Sequence, residues 1–137
     1  MENRNIDIAT LVLRITLGVM FIAHGLLKVM VFTLPGTVQF FDAVGFPGWM
    51  AYVVTIVEIA GGIGLIAGTY TRQIAYAMMP VLLGAFYVHS GNGWLFTNEN
   101  GGWEYPLFLI VATFVQALLG SGRYVIKSPL RQNVVTA

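Results

Sequence analysis

Four long apolar stretches, broken by short polar or glycine-rich connections, organise this chain. They run over about 8–31, 49–67, 73–89 and 103–119. A bilayer core about 30 Å thick is crossed by roughly 20 apolar residues in an α-helix, so each stretch is predicted to be a membrane helix. The third and fourth are short, and flanking aromatics complete them at the interface. The second and third are joined by a tight turn, Gly68-Thr69-Tyr70-Thr71-Arg72, which makes them antiparallel neighbours. The other two connections, 32–48 and 90–102, are longer and rich in glycine, proline and asparagine. The predicted fold is all-α: an integral membrane four-helix bundle, up-down-up-down, forming a single transmembrane domain over residues 1–137.

Composition agrees with that pattern. Of 137 residues 57% are hydrophobic and only 9% charged, with a mean hydropathy of +0.77. A soluble domain carries about a quarter charged residues, and so few charges cannot cover a water-facing surface. The absence of cysteine excludes disulfides, thiolate metal sites, iron–sulfur clusters and cysteine nucleophiles. No basic cluster exists to hold nucleic acid. The first apolar run is expected to be a retained helix and not a signal peptide: Glu2 and Asp7 outnumber Arg4 ahead of it, it is too long for a signal core, and no small-x-small cleavage site ends it.

Charge also orients the bundle. Arg4 precedes the first helix, Arg72 sits between the second and third, and Arg123, Lys127 and Arg131 follow the fourth, whereas the other connections hold only Asp42, Glu99 and, next to it, Glu104. By the positive-inside rule the N-terminus and the C-terminus are both expected in the cytoplasm, with Trp49, Trp94 and Trp103 at the outer headgroup level. A multi-pass protein of a bacterial inner membrane is the expected setting, with the lipid bilayer as its first partner and homo-oligomer formation open to its glycine-rich faces. Small residues mediate helix contacts in lipid. Gly18 and Gly25 in the first helix, and Gly61, Gly62, Gly64 and Gly68 in the second, are read chiefly as packing positions, with Gly64-x-x-x-Gly68 a possible contact pair. Pro80 interrupts the third helix and is expected to free the Tyr76 carbonyl.

Ionisable groups inside a membrane are expensive and so mark candidate function. At 1.5 Å per residue Arg14 lies about 9 Å in from the cytoplasmic edge and Glu58 roughly 15 Å from either side. An Arg14–Glu58 ion pair is therefore expected, either fixing helix packing or holding a proton- or ligand-handling carboxylate. His24 and His89 both reach about 24 Å up their helices, with Lys28 one turn above His24 and Glu104 opening the fourth helix at the same level. His24, His89, Glu104, Lys28 and Trp103 are the candidate ligand-binding set, although Lys28 can instead snorkel outward. Interface hydrogen bonding, a proton-linked site and a quinone-like site all fit these residue types. Nothing beyond the two histidines points to haem, and no metal site is expected.

The sequence resembles the DoxX family of small four-helix membrane proteins. The resemblance rests on Leu13-Arg14-Ile15, His24-Gly25-x-x-Lys28, Glu58-x-x-Gly61-Gly62, Gly68-x-x-Thr71-Arg72, His89, and Gly102-Trp103-Glu104-Tyr105-Pro106, in order across nearly the whole chain. It implies a redox-linked subunit, since some members are named as membrane subunits of thiosulfate:quinone oxidoreductase and others are linked to oxidative-stress and thiol-redox assemblies. On that basis quinone is the expected cofactor, and a soluble or membrane redox protein the expected partner, because no side chain here can hold electrons. A non-enzymatic scaffold, or a small-solute or proton-handling bundle, is the alternative.

Overall fold

The computed structural model describes residues 2–126, so Lys127 and Arg131 of the expected basic flank lie outside the described residues. Among the described residues there are five α-helices, one 3-10 turn and no strand: α1 (Glu2–Met30), α2 (Leu34–Ala43), α3 (Met50–Ala67), α4 (Thr71–His89), the turn Ser90–Asn92, and α5 (Glu104–Leu119). Three of them, α1, α3 and α4, are long and apolar enough to cross a membrane, while α5 is apolar but has 16 residues.

Two differences from the expected elements have local causes. The first helix begins at Glu2 and not near residue 8, because nothing in the polar head Asn3–Asp7 breaks a helix, and the run simply continues. The connection 32–48 contains α2, which was not expected. Its start is chemically specified: the Thr33 hydroxyl accepts the Gly36 N–H, and Pro35 occupies the first turn, where its missing N–H costs nothing. The Thr37 hydroxyl then donates toward the carbonyls of Thr33 and Lys28, at 2.8 and 3.2 Å, tying α2 to the end of α1.

The long helices pack antiparallel, and α1, α3, α4 and α5 each touch two of the others in turn. Glycine sets the closest approach. A Cβ on Gly18 would lie 2.7 Å from the Gly62 carbonyl oxygen, and one on Gly62 would lie 2.7 Å from the Gly18 carbonyl oxygen. The α1 and α3 backbones therefore touch at this crossing, and a side chain on either would drive the helices apart. Gly68 behaves differently from the expected Gly64–Gly68 contact pair. Its φ of 79° and its N–H bonds to the Gly64 and Leu65 carbonyls make it the left-handed residue that ends α3.

The exterior, more than the core, differs from that of a water-soluble protein. One apolar cluster at the centre draws Leu17 and Phe21 from α1, Leu65 from α3, Met78 and Leu82 from α4, and Leu109 and Ala112 from α5. Thr10, Arg14, Thr55, Glu58, Thr113 and Gln116 are buried, yet Val12, Ile56, Ile63, Leu83, Phe108 and Leu118 are exposed. So many large apolar side chains on the outside, with charged groups buried, suit a chain surrounded by lipid. The basic residues Arg4, Arg72 and Arg123 gather at one end of the helices, and Asp42, Glu99 and Glu104 at the other.

Candidate functional site

The expected Arg14–Glu58 pair is not formed. Glu58 binds Lys28 instead: Lys28 Nζ donates to Glu58 Oε2 at 2.8 Å, and the two side chains are 18% and 8% exposed. Lys28 thus turns back into the protein and does not snorkel outward, with a second, longer bond of 3.4 Å to the His24 carbonyl. Arg14, 1% exposed, sits far down α1 and donates to the main-chain carbonyls of Ser121, at 3.1 Å, and Tyr124. It has no carboxylate partner among the described residues, and its Nε–H is buried without an acceptor. Its role in the fold is to hold the segment after α5 against the end of α3, where the Ile126 N–H also donates to the Ala67 carbonyl at 2.9 Å.

The five candidate ligand residues divide into two groups. His24 belongs with Lys28 and Glu58. Its Nδ1 lies 2.7 Å from the Met20 carbonyl. A carbonyl only accepts, so Nδ1 carries the proton and Nε2 presents a lone pair in the neutral ring. The ring stacks on Tyr105, with centroids 5.9 Å apart and planes at 22°.

His89, Glu104 and Trp103 belong to the α4–α5 connection. His89 Nδ1 donates to the Asn100 and Gly101 carbonyls, at 3.0 and 3.1 Å, so the same argument leaves its Nε2 as the acceptor. Glu104 Oε1 accepts the Phe96 N–H at 3.1 Å, and Asn92 Nδ2 donates to the Gly101 carbonyl at 2.9 Å. These bonds fold the glycine- and asparagine-rich connection back over the end of α4. Trp103 packs edge-on against Phe86 and tilts against Trp94, at 6.0 and 6.4 Å, as a wall of this hairpin.

A groove of about 790 Å³ opens between this hairpin and α1. His89, Glu104 and Tyr105 line it together with Met20, Phe96, Pro106 and Phe108, so most of its surface is apolar. His24, Lys28 and Trp103 do not line it. Tyr105, absent from the sequence-derived set, is the residue that joins the two groups: its ring covers His24, while its hydroxyl faces Met20 Sδ at 3.9 Å. Thioether sulfur is a weak acceptor, so that hydroxyl is available to a better partner. Its signal in the sequence is its place among the aromatics at the outer level, which can line a flat apolar slot, next to Glu104. Among the described residues no three His, Asp or Glu side chains group as metal ligands.

These features define a small helical membrane protein with a groove at one end and a buried ion pair beside it. A model of the DoxX family matches residues 9–91, more than half of the chain, and the chain belongs to that family. It is 34% identical over 119 residues to the Bacillus subtilis (strain 168) protein named "Putative oxidoreductase CatD", covering 87% of this chain and 84% of that one. It is 36% identical over 85 residues to "Inner membrane protein YqjF" of Escherichia coli (strain K12), covering 61% of this chain and 64%, just under two thirds, of that protein. No solved structure matches. The family match includes Arg14, His24, Lys28, Glu58 and His89 but ends before the Gly102–Pro106 segment.

Proposed function

We propose that this protein is a redox-linked, multi-pass subunit of a bacterial inner membrane that binds a quinone-like ring in the groove and works with a redox partner. In this reading α1, α3, α4 and α5 form an up-down-up-down bundle, both termini lie in the cytoplasm, and the groove opens at the outer leaflet. The observation that carries the reading is the groove itself, where an apolar wall meets the acceptor Nε2 of His89 and the loosely held hydroxyl of Tyr105. A quinone carbonyl needs a donor, which Tyr105 supplies, and a quinol hydroxyl needs an acceptor, which His89 supplies. Reduction of a quinone takes two electrons and two protons. The side chains here handle the protons only, and the electrons come from a partner or a bound group. The oxidoreductase name of the Bacillus relative and the inner-membrane name of the Escherichia relative support the setting.

The test is binding of a short-chain quinone to purified protein, read by quenching of Trp94 and Trp103, which stand in the hairpin. His89→Ala and Tyr105→Phe should each weaken binding by roughly tenfold, the effect of one lost hydrogen bond to a desolvated polar group, with the helical circular dichroism unchanged. Absence of quenching in the parent, or equal affinity in both variants, refutes the reading. The buried Lys28–Glu58 pair beside His24 favours a second reading, a proton- or small-solute-handling bundle. That reading is supported if the parent binds no quinone and Glu58→Gln alone abolishes its activity in membranes.

A further inference from the structure

Behind the groove wall stands a histidine that does not itself line the groove. The His24 ring stacks on that of Tyr105, which does line it, with centroids 5.9 Å apart and planes at 22°. His24 is anchored in turn by its Nδ1, 2.7 Å from the Met20 carbonyl. The Tyr105 hydroxyl has only the weak acceptor Met20 Sδ, at 3.9 Å, among the described residues. We propose that His24 is a positioning residue of the groove, which sets the place and the donor strength of the Tyr105 hydroxyl and so makes ligand binding follow pH. The inference rests on the reading of the groove as a quinone site.

A neutral imidazole stacked on a phenol only orients it. An imidazolium does more, because its charge attracts the ring face and draws electron density from it, and the hydroxyl then donates more strongly to a carbonyl. Imidazole gains its second proton near neutral pH. With the Nδ1 proton directed at Met20, Nε2 is the atom that takes it. A counter-charge stands beside it. Glu58 is 6% exposed and spends Oε2 on Lys28 at 2.8 Å, while its Oε1 makes no hydrogen bond among the described residues. The α1–α3 contact brings that carboxylate to the level of His24, since a Cβ on the next residue, Gly25, would lie 3.4 Å from the Glu58 Cβ. Lys28, on the same helix as His24, bonds both Glu58 and the His24 carbonyl. The remaining charges on the outer halves of the helices packed against α1 are turned elsewhere. Asp42 of α2 faces Gly48, where a Cβ would lie 2.9 and 3.0 Å from its oxygens, and Glu104 of α5 accepts the Phe96 N–H. His89 of α4 is held at the hairpin and lines the groove itself. One carboxylate therefore serves two basic groups, and the second of them touches the groove's hydrogen-bond donor.

The full-length protein in nanodiscs tests this with two readouts. In ligand-free protein carrying isotopically labelled tyrosine, the Tyr105 ring signals, assigned by their loss in Tyr105→Phe, should move between about pH 5.5 and 7.5, where imidazole titrates. His24→Phe keeps a ring against Tyr105 without a titrating nitrogen, and the movement should be lost. The affinity for a short-chain quinone, read by tryptophan quenching, should fall from the acid to the neutral end of that range. His89 titrates in the groove as well, so the quantity compared is the size of this fall, which should be roughly fivefold smaller in His24→Phe than in the parent, the worth of one cation–aromatic contact. His24→Ala removes the ring and should weaken binding at every pH. Tyr105 signals that stay fixed in the parent, or that move equally in His24→Phe, overturn the inference whether or not quinone binds. So does an equal fall in affinity in the two proteins. If the Tyr105 signals follow His24 and no quinone binds, the coupling stands and the quinone reading of the groove fails.

Discussion

Breaking the Lys28–Glu58 pair should destabilise the protein, and by unequal amounts from its two sides. Removing one partner of a buried pair costs about 3–5 kcal/mol, since the other charge stays behind unpaired. The structure splits that figure. Lys28 stands two residues before the end of α1 at Met30, so an orphaned ammonium can swing out to the interface on its long stem. Glu58 lies eight residues beyond the start of α3 at Met50, about 12 Å along the helix, and its short side chain cannot reach water. Lys28→Met should therefore cost about 3–5 kcal/mol, and Glu58→Gln only about 1–2 kcal/mol. The double variant should be less damaged than Lys28→Met alone, giving a coupling larger than the Glu58→Gln cost itself, more than about 1 kcal/mol. Unfolding free energies in mixed detergent micelles would measure all four corners of the cycle. Effects that add to within about 0.5 kcal/mol would refute the pairing. So would a cycle in which Arg14→Met, and not Lys28→Met, couples to Glu58.

Two further outcomes follow from the ends of the bundle. Arg14→Met removes the bonds to the Ser121 and Tyr124 carbonyls, so the segment after α5 should detach, and amide exchange at Ile126, now bonded to the Ala67 carbonyl, should rise at least about tenfold. Unchanged exchange there would mean that the arginine does not hold the segment. Single cysteines at Asn3 and Glu99, labelled in intact cells with a membrane-impermeant thiol reagent, should react only at position 99. Rapid labelling of both would overturn the proposed orientation.

How much of this could be read in the sequence depends on what sequence spacing encodes. Apolar runs gave α1, α3, α4 and α5 to within a few residues, except at the start of α1, because hydrophobic length and helix-breaking glycine are local properties. α2 was missed although its signal is also local. Thr33-Leu34-Pro35 is a helix start, but it sits in a connection whose glycines and prolines are equally turn formers. Gly-x-x-x-Gly spacing is the same whether the second glycine packs against a neighbour or, like Gly68, ends its own helix.

The site was harder, for one specific reason. Depth along a helix follows from sequence only if the helix ends are level, and here they are not. The Gly18–Gly62 crossing fixes the register of α1 against α3, and moving up one helix moves down the other. A Cβ on Gly25 would lie 3.4 Å from the Glu58 Cβ, and one on Gly68 would run into the Arg14 guanidinium. Arg14 is therefore level with the end of α3, and Glu58 with a position eleven residues further along α1, about 16 Å away. The turns of α1 before Arg14 project past the end of α3, and counting from a shared starting plane hid most of that offset. No arginine side chain spans such a gap, whereas Lys28 needs only to lean back one turn. The same register separates the two histidines. His24, one residue before Gly25, is carried to the Glu58 level and under Tyr105, while His89 is held at the hairpin by the Asn100 and Gly101 carbonyls. One close glycine contact thus decides which charges meet, and it leaves Tyr105, stacked on His24, as the link between the histidine beside the ion pair and the groove.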